Sequence, residues 1–125
     1  MTYLQATLLS RMDRLLQLRR HYDLDSLGKQ LVDRSIYATL IDCGQAGVGA
    51  EARGGITNFR LQELDRAAGL HRYHNGLNHP DKARYYEGRV SLFFGELVLA
   101  DAGQEAFAVL DRNNYDPRQL LVTTR

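Results

Sequence analysis

Apolar residues return every three or four positions through the first 43 residues, and a stretch written that way folds as helices packed face to face. Leu4, Leu8, Met12, Leu15 and Tyr22 make one stripe, widened by Leu9 and Leu16, with Arg11, Asp13, Arg14, Gln17 and Arg20 opposite. Thr2 and Gln5 have the spacing of a capping box, in which hydroxyl and amide each satisfy a free backbone N–H. These residues predict a helix over 3–22. After the polar break Asp23-Leu24-Asp25-Ser26, a second stripe follows: Leu27, Leu31, Ile36, Leu40 and Cys43, broadened by Val32, Tyr37 and Ile41. It predicts a second helix that stops at Gly44, since glycine takes the left-handed cap conformation without steric cost. So short a connection makes a two-helix hairpin the simplest arrangement.

Beyond residue 43 the pattern is interrupted. Gly44, Gly47, Gly49, Gly54 and Gly55 read as a loop or hinge with one helical turn at 50–53. A third helix is expected over 58–68, carried by Phe59, Leu61, Leu64 and Ala68 and ended by Gly69. Residues 71–79 read as a polar loop. Pro80 suits the first position of a fourth helix, along which Tyr86, Val90, Phe93, Phe94, Leu97 and Val98 recur at helical steps up to Gly103. Val90, Leu92 and Phe94 also alternate, which leaves a C-terminal β-hairpin within 88–125 as the alternative. Asp101 is expected to cap a last helix over 104–110, closed by Asn113-Asn114. Leu120–Thr124 reads as a short strand or tail.

With 125 residues, 44% of them apolar and 25% charged, the chain has the size and composition of one globular domain, 1–125. Cys43 is the only cysteine, so no internal disulfide exists and a reducing compartment is expected. The N-terminus lacks the basic-then-apolar pattern of a secretion signal, and no apolar run approaches a bilayer span. A cytoplasmic protein, with no membrane partner, is the expectation. A net charge of +1 gives no global attraction to nucleic acid or membrane. Fourteen of the sixteen basic residues are arginine, the better group for phosphate and carboxylate forks, though genome composition produces the same bias.

Chemistry-bearing residues concentrate between 66 and 89. His71, His74 and His79, with Asp81 beside them, are possible metal ligands. Their spacing matches no established metal motif, so neither a metal nor a cofactor is expected. Arg66–His71, Arg72–His79 and Arg14–His21 have the Arg-x(4–6)-His spacing of the HEPN nucleases, small all-α domains that often cut RNA as dimers. This loose resemblance covers only the motif and the helical size class; it would imply catalytic Arg and His side chains lining one face. Residues 61–70 resemble the first helix of a helix-turn-helix with Gly69 at the turn. Asp65 stands where that motif wants a small residue, and Asn75, Gly76, Asn78 and Pro80 spoil the second helix. Arg66, Arg72, Tyr73, His74, Lys82, Arg84, Tyr85 and Arg89 mix cations with aromatic rings. That combination suits phosphate and exposed bases, or an acidic protein. Asp81 and Glu87 interrupt it, and a solvated face is the plain alternative. Glu96, Asp101, Glu105, Asp111 and Asp116 give the later chain the opposite sign, available for pairing within one subunit or across a dimer. Cys43, at the apolar side of a helix C-terminus, reads as a small core residue. No phosphate loop, dinucleotide fingerprint or nucleophile elbow occurs.

The sequence therefore predicts an all-α bundle of about five helices with a glycine-rich loop. Its expected function is a non-enzymatic interaction or regulatory module. The binding residues would be Arg66, His71, Arg72, Tyr73, His74, Lys82, Arg84, Tyr85 and Arg89, the partner a protein or nucleic acid. One alternative is a small nuclease or metal-dependent hydrolase using His71, His74 and Arg66. The other is a structural subunit of a larger assembly. The wide apolar faces of the first two helices suggest a homodimer.

Overall fold

A computed structural model describes residues 1–21, 26–118 and 120. Five α-helices follow one another: α1 (Tyr3–Arg19), α2 (Leu27–Gln45), α3 (Gly49–Gly76), α4 (Pro80–Leu99) and α5 (Gly103–Arg112). The architecture is all-α, and no strand occurs among the described residues. In place of a C-terminal β-hairpin the described residues beyond 88 form the rest of α4 and α5; residue 119, the segment 121–124, read as strand or tail, and Tyr22 lie outside the described residues. The chain divides into two compact units, residues 1–56 and 57–125.

In the first unit α1 and α2 form the expected antiparallel hairpin. Both bonds of the capping box are made: Gln5 N–H donates to Thr2 Oγ1 at 3.1 Å, and Thr2 N–H to Gln5 Oε1 at 2.9 Å. The same glutamine amide donates from Nε2 to the Ala46 carbonyl at 2.8 Å, clasping the start of α1 to the end of α2. Near the other end of the hairpin, the buried Arg19 reaches Asp33 at 2.8 Å, and Lys29 reaches the same carboxylate at 3.0 Å. Leu8, Met12 and Leu16 are buried on α1, and Val32, Thr39 and Cys43 on α2. The buried face of α2 is thus rotated from the expected stripe, leaving Leu27, Leu31, Tyr37 and Ile41 exposed. The helix carries more apolar residues than one neighbour can cover, and spacing alone does not choose among them.

The glycine-rich stretch is not a loop. Only Ala46-Gly47-Val48 turn; Gly44 lies inside α2, and Gly49, Gly54 and Gly55 lie inside α3. Glycine costs a helix about 1 kcal/mol relative to alanine. Here the helix persists because Ala52, Ile56 and Phe59 are buried at helical spacing. A β-carbon on Gly49 would stand 3.2 Å from Gly44 Cα, a tight contact that places the two backbones close together at this turn.

In the second unit the later part of α3 packs with α4 and α5 around Leu64, Ala68, Val90, Phe93, Leu97, Ala106 and Leu110. Helix α3 neither stops at Gly69 nor gives way to a loop at 71–79; it runs to Gly76. Gly69 faces the end of α5, where its β-carbon would meet Asn113 Oδ1 at 3.5 Å, and Asn113 also donates to Asp65 at 2.7 Å. Continuation through Gly69 removes the turn that a helix-turn-helix requires.

Helices α2 to α5 share one ending. At each, an N–H bonds back to the carbonyl five residues earlier, and the residue before it has positive φ, the Schellman motif. These bonds run from Val48 to Cys43, His79 to His74, Ala102 to Leu97 and Tyr115 to Leu110. The left-handed residues are Gly47, Asn78, Asp101 and Asn114. Three of the four are Asn or Asp, which explains why the stops expected at Gly69 and Gly103 fell elsewhere; α2 does end on a glycine, but at Gly47 rather than Gly44. Asp101 ends α4 instead of capping α5, whose N-cap, Ala102, offers no side-chain bond.

Candidate nucleic-acid or protein interface

The bonds that align α3 with α4 also sort the candidate residues. Arg60 meets Glu96 at 3.1 Å, Glu63 meets Arg89 at 3.8 Å, and the His74 ring stacks on Tyr86, 5.5 Å apart and 3° from parallel. Positions rising along α3 meet positions falling along α4, so the two form an antiparallel hairpin that turns at Leu77-Asn78-His79. The candidate residues sit toward that turn.

Six of the nine are exposed: Arg66, Arg72, Tyr73, Lys82, Arg84 and Tyr85. Arg66, Arg72, Lys82 and Arg84 make no ion pair among the described residues, nor do the exposed Arg14, Arg34 and Arg53, whereas Arg11, Arg19, Lys29, Arg60, Arg89, Arg112 and Arg118 each have a carboxylate. Tyr73 is 59% exposed and Tyr85 46%, so both keep a ring face or edge open to a partner. Arg89 departs from the expected open surface. It is buried against the equally buried Glu63, donates to Tyr85 Oη at 3.4 Å, and lies over the Phe93 ring. Its charge is spent inside the hairpin.

The histidines separate into two environments. His71 is half-buried and meets the Tyr115 ring edge-on at 5.1 Å. His74 and His79 come together, their Nδ1 atoms 3.3 Å apart. Desolvation, then the charges of Lys82 and His79, lower the His74 pKa, favouring a neutral ring near pH 7. Arg66 and His71 are five residues apart on one helix, about 140° around its axis, so they do not line one face as the HEPN resemblance implies. The sequence pointed to His74 and His79 but not to their pairing, which depends on the left-handed Asn78 folding the chain back. No group of three or more His, Cys, Asp or Glu side chains suited to a metal occurs among the described residues.

Two polar groups outside this surface are also constrained. Cys43 is fully buried, and burial followed by Asp42 raises its thiol pKa, the opposite of activation. The Tyr115 hydroxyl is buried without a hydrogen-bond partner, and its pKa is pushed up to about 12 by burial and then by Glu87.

No helix among the described residues is long and apolar enough to cross a membrane. Compared with known protein families, curated proteins and solved structures, the chain matches none.

Proposed function

We propose that this chain is a non-enzymatic interaction module that binds a protein or nucleic-acid partner through the turn end of the α3–α4 hairpin. One observation carries the reading. Arg66, Arg72, Lys82 and Arg84 are exposed without ion pairs among the described residues, and Tyr73 and Tyr85 on the same two helices are 59% and 46% exposed. Cations not already held by carboxylates are available to phosphates or to an acidic protein, and exposed rings add stacking. Arg89 supports this surface from beneath rather than touching the partner. The buried, inactivated Cys43 suits a reducing, cytoplasmic setting.

The test is fluorescence anisotropy with a labelled single-stranded oligonucleotide and with an acidic peptide, at low salt and again at higher salt. Binding that weakens with salt and with Arg72→Glu or Arg84→Glu is expected for one of the two probes. Absence of binding to both at low salt would overturn the assignment of this surface.

A second copy of the chain is also a proposed partner. Leu27, Leu31, Ala38 and Ile41 are exposed on α2 at spacings of four, seven and three residues, the repeat by which helices pair side by side. Arg34 stands on the same stripe and, in such a dimer, would have to extend to its rim.

A further inference from the structure

Three of the four Schellman turns close on buried pairs: Cys43 with Val48, Leu97 with Ala102, and Leu110 with Tyr115. Hydrophobic contact at these positions is the usual companion of the motif. The α3–α4 turn instead carries two imidazoles there, His74 and His79, with His74 half-buried and His79 exposed. We propose that the Nδ1 atoms of His74 and His79, 3.3 Å apart across this turn, form a two-histidine site for a divalent transition-metal ion such as zinc.

The separation fits the chemistry. Tetrahedral zinc with bonds of about 2.0–2.1 Å places two ligand nitrogens about 3.3–3.4 Å apart. It is long for an ordinary N–H···N hydrogen bond between neutral rings. Coordination uses one lone pair from each neutral imidazole, with the remaining ring proton on Nε2, so nothing is oxidised or cleaved. The His74 ring is held: it stacks on Tyr86 and meets Tyr73 edge-on at 5.1 Å. The backbone of the exposed His79 is fixed by its N–H, which donates to the His74 carbonyl at 2.9 Å. The negative end of the α3 dipole and the positive end of α4, which begins at the N-cap His79, meet at this turn, so the helix dipoles oppose each other there. Lys82 opposes the ion, since its charge already acts on His74. Two positions on the metal stay open to water or to a donor from a bound molecule, which keeps affinity well below that of a four-ligand structural site. The site stands on the geometry of the turn and not on what the neighbouring surface binds.

The test is calorimetric titration of the tag-free, reduced chain with zinc chloride at about pH 7. One saturable equivalent per chain is expected. His74→Gln and His79→Gln should each weaken it by at least about tenfold, and Lys82→Gln should tighten it several-fold. His71→Gln should leave it unchanged. Imidazole nitrogen NMR on the wild-type chain reads the same site without any variant: the Nδ1 signals of His74 and His79 should shift together on adding zinc. No saturable binding up to about 1 mM zinc, shifts confined to His21 or His71, or full binding in both His74→Gln and His79→Gln would each overturn the proposal.

Discussion

Arg89 and Glu63 show how a single buried charge fixes its surroundings. Their side chains are 10% and 4% exposed and face each other at 3.8 Å inside the α3–α4 hairpin. Breaking a buried pair by removing one member costs about 3–5 kcal/mol, whereas replacing both with apolar residues of similar volume is often neutral. Arg89→Ala is therefore expected to lower the urea midpoint sharply, and Arg89→Met combined with Glu63→Leu to recover most of the loss. Equal losses in the single and double variants would contradict this account. Tyr115 makes a pH prediction at the same scale. Its phenol ionises near 10 when unfolded but only at about 12 when folded. A raised folded pKa means the stability is intact below about pH 10 and is lost as pH rises towards about 12. Tyr115→Phe should flatten that alkaline slope. Because the hydroxyl has no partner, the same change should leave stability near pH 7 within about 1 kcal/mol. Chemical denaturation at several alkaline pH values separates the two chains.

At the scale of the element, the glycines of α3 divide by what surrounds them. A β-carbon on Gly54 or Gly55 would meet nothing within 4 Å, while one on Gly49 would press on the backbone of Gly44 at 3.2 Å. Gly54→Ala and Gly55→Ala are each expected to raise stability by about 0.8–1 kcal/mol, since alanine removes an entropic cost without a clash. Gly49→Ala is expected to lower it. Thermal melting of the three variants checks the sign, and a gain for Gly49→Ala would refute the close approach of α2 to α3. The same contrast shows why the sequence misread this stretch. Five glycines look like a hinge, but Ala52, Ile56 and Phe59 continue a buried stripe straight through them. The stripe was legible in spacing; its burial was not, because burial depends on which other elements come near.

For the whole molecule, the open question of partners has a direct readout. Dimerisation through α2 predicts a doubled mass in sedimentation equilibrium of the wild-type chain and a single-chain mass for Leu31→Glu, with helicity retained in both. A wild-type chain that sediments as a monomer at moderate concentration would remove the second copy from the list of partners. The candidate surface was legible in the sequence as a concentration of Arg, Tyr and His between 66 and 89. What the sequence did not show was its division of labour. Arg89 shares the composition of Arg84 but lies inward against Glu63, and His71 shares the side chain of His74 but meets Tyr115 instead of another imidazole.

The sequence by itself determined the helical class, the capping box at Thr2 and Gln5 and the start of α4 at Pro80, because each depends on neighbours within a few residues. Only the tertiary structure decided that α3 runs unbroken across Gly54, Gly55 and Gly69, and that Asn78, Asp101 and Asn114 rather than nearby glycines end helices. It alone brought His74 to His79. Those outcomes depend on long-range burial and on left-handed residues whose cost is met by the packing that follows them, and neither can be read from local spacing.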